Sequence, residues 1–224
     1  MQYSRLQRDY FFEFAGMPQS GNSSVEDIVA HYLKRQGFVI EQYRGGSRYS
    51  PLRFSSIADL NLSLACKTAE FIISALGREK VIHKIFLLDR GLIDRCMFAD
   101  ALLRQGKIDE NTAFATKMFL TSSRLLQNID GVFVFVTTPK LAIMRENENK
   151  LVETEGGVMN RAFLKDMHSA IEGDVEWMRT LMPDKHVQII DTGKNDGKVT
   201  ETARSIVGTI LDIVLRPIGI SASM

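Results

Sequence analysis

The sequence predicts an α/β fold in which a parallel β-sheet is covered on both faces by helices. Three observations carry this. Five short apolar or β-branched runs, at 10–15, 38–42, 85–88, 132–136 and 187–190, alternate with segments of helical periodicity. At 224 residues the chain is long enough to bury a substantial core. No internal repeat, low-complexity tract or Pro/Gly/Ser linker divides it, so residues 1–224 read as a single domain.

Each element has its own signal. Tyr10 to Ala15 is an apolar run ending at Gly16, the pattern of a buried strand entering a tight turn. Val25, Ile28, Val29, Tyr32 and Leu33 then recur at helical spacing, and Gly37 closes that helix. Phe38 to Gln42 is the second strand, and Ile57 to Leu76 a long helix ended by Gly77. Ile85 to Leu88 forms the third strand, with Asp89 at its end. Helices are expected over about 93–104 and 110–127. Val132 to Val136 is almost wholly β-branched and aromatic, as a central strand requires. Leu141 to Glu148 and Arg161 to Leu181 read as helices, separated by a polar stretch holding Gly156 and Gly157. Val187 to Ile190 is the fifth strand, and a last helix spans about 197–214. Ligands of such sheets bind at the carboxyl ends of the strands, so residues following Ala15, Gln42, Leu88, Val136 and Ile190 draw interest.

Composition narrows the function classes. The net charge of +1 supplies no global field to recruit nucleic acid or an anionic membrane, so neither is expected as a partner. Residues 1–9 are polar and carry Arg5 and Arg8, unlike a signal peptide. The longest apolar stretch, 57–76, is interrupted by Asp59, Lys67 and Glu70. Cys66 and Cys96 lack metal or redox spacing, which fits a reducing, cytoplasmic compartment. The four histidines are scattered without metal spacing. Trp177 and Met178 lie on an apolar helical face and read as core rather than base-stacking residues.

The most informative segment is Gly16-Met17-Pro18-Gln19-Ser20-Gly21-Asn22-Ser23-Ser24. It matches the phosphate-binding pattern G-x-x-x-x-G-K-[ST] except at Asn22, where lysine would reach the β- and γ-phosphates. Gly16 and Gly21 allow backbone angles that turn successive N–H groups around an anion, and the following helix offers its positive end. Ser23 takes the position of the hydroxyl that ligates Mg²⁺. The plain alternative is a glycine-rich strand-to-helix turn with Ser23 or Ser24 as a helix cap.

With this loop in place, residues 10 to about 212 resemble the nucleoside and nucleotide kinase group of P-loop proteins, chiefly thymidylate kinases and deoxynucleoside kinases. The resemblance implies a three-layer P-loop NTPase fold of the nucleotide-kinase type, with sheet order 2-3-1-4-5. It also implies ATP as phosphate donor, Mg²⁺ as cofactor and a nucleoside, nucleoside monophosphate or similar small molecule as acceptor. A homodimer through the long helices near 57–76 and 110–127 is a further expectation.

Further positions carry the likeness. Leu87-Leu88-Asp89-Arg90-Gly91 stands where thymidylate kinases have Asp-Arg-aromatic and deoxynucleoside kinases have Glu-Arg-Ser. By resemblance Asp89 would organise metal or act as base, and Arg90 would hold a phosphate through its planar fork. Gly91 matches neither subfamily. A surface Asp-Arg pair capping the next helix is the plain alternative. Tyr43-Arg44-Gly45-Gly46-Ser47 follows the second strand, and Arg44, with Arg48, would be substrate-side residues; an ordinary solvated loop explains them too. Residues 146–160 fall where the family places its lid, yet carry Glu146, Glu148, Glu153 and Glu155 against Lys150, flanked by Arg145 and Arg161. Asp191-Thr192-Gly193 corresponds to the loop bordering adenine.

Asn22 donates hydrogen bonds but brings no charge. Loss of one preorganised donor slows catalysis by about 10²–10³. Three accounts stand: a kinase whose cation comes from Arg90, Arg145 or Arg161, a nucleotide- or anion-binding regulatory module without catalysis, or a replacement introduced to trap bound nucleotide.

Overall fold

A computed structural model describes residues 6–46, 54–79, 81–149, 158–194 and 198–216. The strands are β1 (Tyr10–Gly16), β2 (Ile40–Arg44), β3 (Ile85–Asp89), β4 (Ile129–Val136) and β5 (His186–Asp191). They form one five-stranded sheet of order β2-β3-β1-β4-β5. Every neighbouring pair is parallel. The helices are α1 (Asn22–Arg35), α2 (Ile57–Gly77), α3 (Leu92–Arg104), α4 (Glu110–Leu120), α5 (Ser123–Leu126), α6 (Pro139–Asn149), α7 (Arg161–Leu181) and α8 (Val199–Val214). None of them is long and apolar enough to cross a membrane.

β1 and β4 are buried along their whole length because helices cover both faces, which is why their sequences are continuously apolar rather than alternating. Successive side chains still point to opposite faces. Tyr10, Phe12 and Phe14 join Phe133 and Phe135 in a core completed by α1 and α8. Phe11 and Ala15 join Phe86, Leu88, Val132 and Val134 in a second, larger core against α2, α3 and α7. Phe11 stacks on Phe86 with ring centroids 4.5 Å apart. Met178 is fully buried, and Trp177 is half-buried with Lys117 Nζ over its ring at 4.1 Å, in keeping with a packing role.

Several boundaries differ from the sequence expectation. The second strand begins at Ile40 and runs on to Arg44, because Gly37 (φ +91°) ends α1 and Phe38 turns inward to pack. The expected helix over 110–127 is two helices, since Ser122 leaves the helical region at ψ 142° and restarts the chain as α5. β4 starts three residues before the expected Val132, at Ile129. Gly77 is the last residue of α2 rather than its terminator: the following Arg78 is already extended.

Candidate functional site

The carboxyl ends of β1, β2, β3 and β5 meet around the loop between β1 and α1. Gly16 leaves β1 at φ +131°, and a Cβ there would lie 2.1 Å from the Phe135 carbonyl oxygen. Only glycine lets the loop fold this tightly on β4. The Met17 amide donates to that same oxygen at 2.9 Å. Met17 and Pro18 are buried, and the Ser20 hydroxyl closes the turn on the Met17 carbonyl at 2.7 Å. Gln19 sits at φ +56° and Gly21, the N-cap of α1, at φ +89°. No side chain caps α1, so its first-turn amides face the loop with the helix dipole behind them. Ser24 is exposed in that first turn. Ser23 and Ser24 therefore do not cap the helix.

Instead, Ser23 Oγ donates to Asp89 Oδ2 at 2.7 Å. These are two hard oxygen donors side by side, a set suited to Mg²⁺. Asn22 turns away from the loop: its amide donates to Asp89 Oδ1 at 2.8 Å and to the Phe14 carbonyl at 3.5 Å. Where a lysine would extend toward phosphate, the shorter amide ties α1 to the end of β3.

Arg44 ends β2 on the other side of Asp89. It pairs with Glu26 at 2.6 Å, with Asp27, and with Asp89 Oδ2 at 3.4 Å. Glu26 lies one turn beyond Asn22 on the buried side of α1. Burial pushes its carboxyl up to about 8 against the opposing pull of Gln42 and Arg44.

Arg90 occupies the left-handed region at φ +69°. Its guanidinium turns back to the Gly16 carbonyl at 3.2 Å and to Asp94 at 3.2 and 3.3 Å. Asp94, fully buried, also accepts from the Gly16 amide at 2.9 Å and from Arg95 at 2.5 Å. Arg145 of α6 reaches the loop from above. It donates to the Gln19 carbonyl at 3.1 Å and to the carbonyl of Thr192 at 3.2 Å, while Thr192 Oγ1 donates to the Ser20 carbonyl at 2.8 Å. Glu146 accepts from the Gln19 side chain, so this acid is turned onto the loop's flank. Arg161 is exposed at the start of α7. Arg48 lies outside the described residues, as do Lys150, Glu153 and Glu155 of the expected lid.

The structure thus brings Asn22, Ser23, Arg44 and Asp89 into one cluster, and sets Arg90 and Arg145 against the two ends of the loop. Sequence reasoning missed Glu13, Glu26 and Asp94. Two of them carried a signal. Glu13 is the one charge inside the apolar run 10–15, and Glu26 falls three and seven residues before Val29 and Leu33 on the apolar face of α1.

No family model matches the chain, and no curated protein matches it in sequence. In three dimensions it is similar to solved structures of deoxyadenosine kinase from M. mycoides. With the form holding bound dCTP the TM-score is 0.61 at 13% identity, covering 90% of this chain and 98% of that one. With the form holding the products dCMP and a flexible dCDP it is 0.60 at 14% identity, over 91% and 100%. With the form holding dATP it is 0.59 at 17% identity, over 90% and 99%. At such identities the likeness speaks to fold. The five-stranded parallel sheet of order 2-3-1-4-5, flanked by helices on both sides, is the fold of P-loop kinases.

Proposed function

We propose that this chain is a single-domain phosphotransferase of the nucleoside-kinase type, moving the γ-phosphate of ATP to a nucleoside, a nucleoside monophosphate or a similar small molecule. One observation supports this above the rest: the Ser23 hydroxyl and the Asp89 carboxylate meet 2.7 Å apart at the mouth of a glycine-permitted loop on this fold. The backbone amides of Gln19, Gly21, Asn22, Ser23 and Ser24 would cradle the donor phosphates, while Gly16, Pro18 and Ser20 shape the turn: Pro18 has no N–H, and the Gly16 and Ser20 amides donate to Asp94 and to the Met17 carbonyl. Ser23 and Asp89 would hold Mg²⁺, which when bound neutralises charge on the donor phosphates.

The chain's own groups do the rest. The acceptor oxygen, a nucleoside hydroxyl or a monophosphate oxygen, attacks the γ-phosphorus and the bond to the β-phosphate oxygen breaks, releasing ADP; where the acceptor is a hydroxyl, its proton passes to Asp89. Arg44, now held by carboxylates, would exchange those partners for the more highly charged phosphate of a monophosphate acceptor, and Arg90, aimed by Asp94, would contact it with the rest of its fork, with Arg48 nearby in sequence. Arg145 braces the loop and Thr192 together. The acceptor class follows the ligands of the structural neighbours, and the reaction fits a reducing, cytoplasmic compartment. A homodimer would form through α2 and α4, where Leu62, Ile73, Phe114, Met118 and Phe119 are exposed.

A second reading has an observation of its own. Asn22 brings no charge and is spent on Asp89, which favours a regulatory protein that binds a nucleotide or anion without turning it over. The deciding experiment incubates the protein with Mg·ATP and a panel of nucleosides and nucleoside monophosphates and looks for phosphorylated product. Product formed by the wild type and lost in Asp89→Ala supports the transferase. ATP binding with no product from any acceptor overturns it in favour of the regulator.

A further inference from the structure

Glu13 sits mid-strand in β1, completely buried, facing the larger apolar core. A carboxylate there costs several kcal/mol unless it is hydrogen-bonded. Its partners are three backbone amides at the start of α3: Gly91 at 3.1 Å, Ile93 at 3.1 Å and Asp94 at 2.7 Å. The fit is close. A Cβ on Gly91 would lie 2.6 Å from the Glu13 carboxyl, so any larger residue at the position that matches neither kinase subfamily would push that carboxyl off its amides.

The anchored helix end carries Asp94, which accepts from the Gly16 amide and grips the Arg90 guanidinium. Arg90 holds φ +69°, a conformation that non-glycine residues keep only where the surroundings impose it. We propose that Glu13 is the positioning residue of the phosphate site: acting through the α3 amides and Asp94, it sets the first amide of the loop and the direction of Arg90. This rests on the phosphate-binding reading of the loop. Glu13 touches neither donor nor acceptor. The charged and titratable groups around it are Asp94, Arg95 and Cys96 on α3.

Two readouts on the whole chain test this. In the free protein, the backbone ¹⁵N–¹H resonance of Gly16 is followed from pH 5.5 to 8.5. It is expected to shift near pH 7 with protonation of Glu13 in the wild type and to lose that step in Glu13→Gln, where only a step near pH 8 from Glu26 would remain. At pH 8, Glu13→Gln is expected to weaken Mg·ATP binding at least tenfold with the melting transition still cooperative. An identical Gly16 titration in both proteins, or unchanged Mg·ATP affinity in a folded Glu13→Gln, overturns the proposal. If Glu13→Gln does not fold, Asp94→Asn replaces it, and a Gly16 resonance that still titrates as in the wild type is the overturning result. If the wild type binds no phosphate compound, the transferase reading falls, while the Gly16 titration still decides whether Glu13 and the loop are coupled.

Discussion

Asp89 and Glu13 are both buried carboxylates on neighbouring strands, yet they are satisfied in different ways. Asp89 is held by side chains: Asn22, Ser23 and Arg44. Glu13 is held by backbone amides of α3. Side-chain partners can rotate away when a ligand arrives, whereas backbone amides of a packed helix cannot move without the helix. One carboxylate is arranged for exchange and the other for permanence. A site that must both change partners and keep its shape needs one of each.

Breaking the exchangeable side has the largest expected effect. Asp89→Ala should lower phosphoryl transfer by at least about 10²–10³, some 3–4 kcal/mol of barrier, measured as product formed per unit time. The melting temperature should fall only modestly, because Ser23 is half-buried and can turn to water, while the buried Asn22 amide keeps the Phe14 carbonyl as a partner. A large loss of stability with retained activity would invert the roles assigned to the two acids.

Breaking the permanent side should do the reverse. Glu13→Ala leaves buried amides at the start of α3 without an acceptor, at about 1–3 kcal/mol each, partly offset by removal of a desolvated charge. A net loss on the order of 2–4 kcal/mol is expected from denaturant unfolding at pH 8. Stability within error of wild type would show that the amides found other partners.

Proton linkage sharpens the contrast. Burial raises Glu13 from its ordinary 4.5 to about 7 and Glu26 from 4.5 to about 8. Asp174, beside Asp100 and buried, rises from 3.8 to about 7. In each case the folded protein holds its proton to higher pH than the unfolded chain. Their contribution is therefore fully present below about pH 4 and is lost as pH rises through 7 to 8. Unfolding free energies between pH 5 and 8.5 should decline by roughly 3 kcal/mol from Glu13 alone, about two pH units at about 1.4 kcal/mol each, with Glu26 and Asp174 adding to the fall. The slope should become shallower in Glu13→Gln, and an unchanged slope would remove Glu13 from the account.

The smallest effect concerns Asn22. Asn22→Lys restores a positive charge at the loop and should tighten triphosphate binding by about tenfold, near 1.4 kcal/mol, read by calorimetry. Weaker binding would mean that the tie from Asn22 to Asp89 and Phe14 matters more to the loop than the charge does.

Much of this arrangement was legible in the chain. The run ending at Gly16, the spacing to Gly21 and Ser23, and the Asp89-Arg90 pair marked the strand ends where the cluster stands. Periodicity located α7 to the residue, because twenty-one residues with a strong apolar face leave little freedom. Glu13 was passed over for a physical reason: in a run of aromatic residues a single charge leaves the strand pattern intact, and nothing local names its partners. The break at Ser122 escaped because the apolar spacing of 110–127 continues across it.

By itself, then, the sequence determined the element order, the apolar faces and the loop that could hold a phosphate, all of which depend on contacts within a few residues. The tertiary structure alone decided which groups meet there. Asn22 faces Asp89 rather than the loop, Arg44 reaches α1, and Glu13 anchors α3, across separations of 67, 18 and 78 to 81 residues. Such pairings are set by strand order and register, since parallel neighbours place residues distant in the chain side by side at the same end of the sheet.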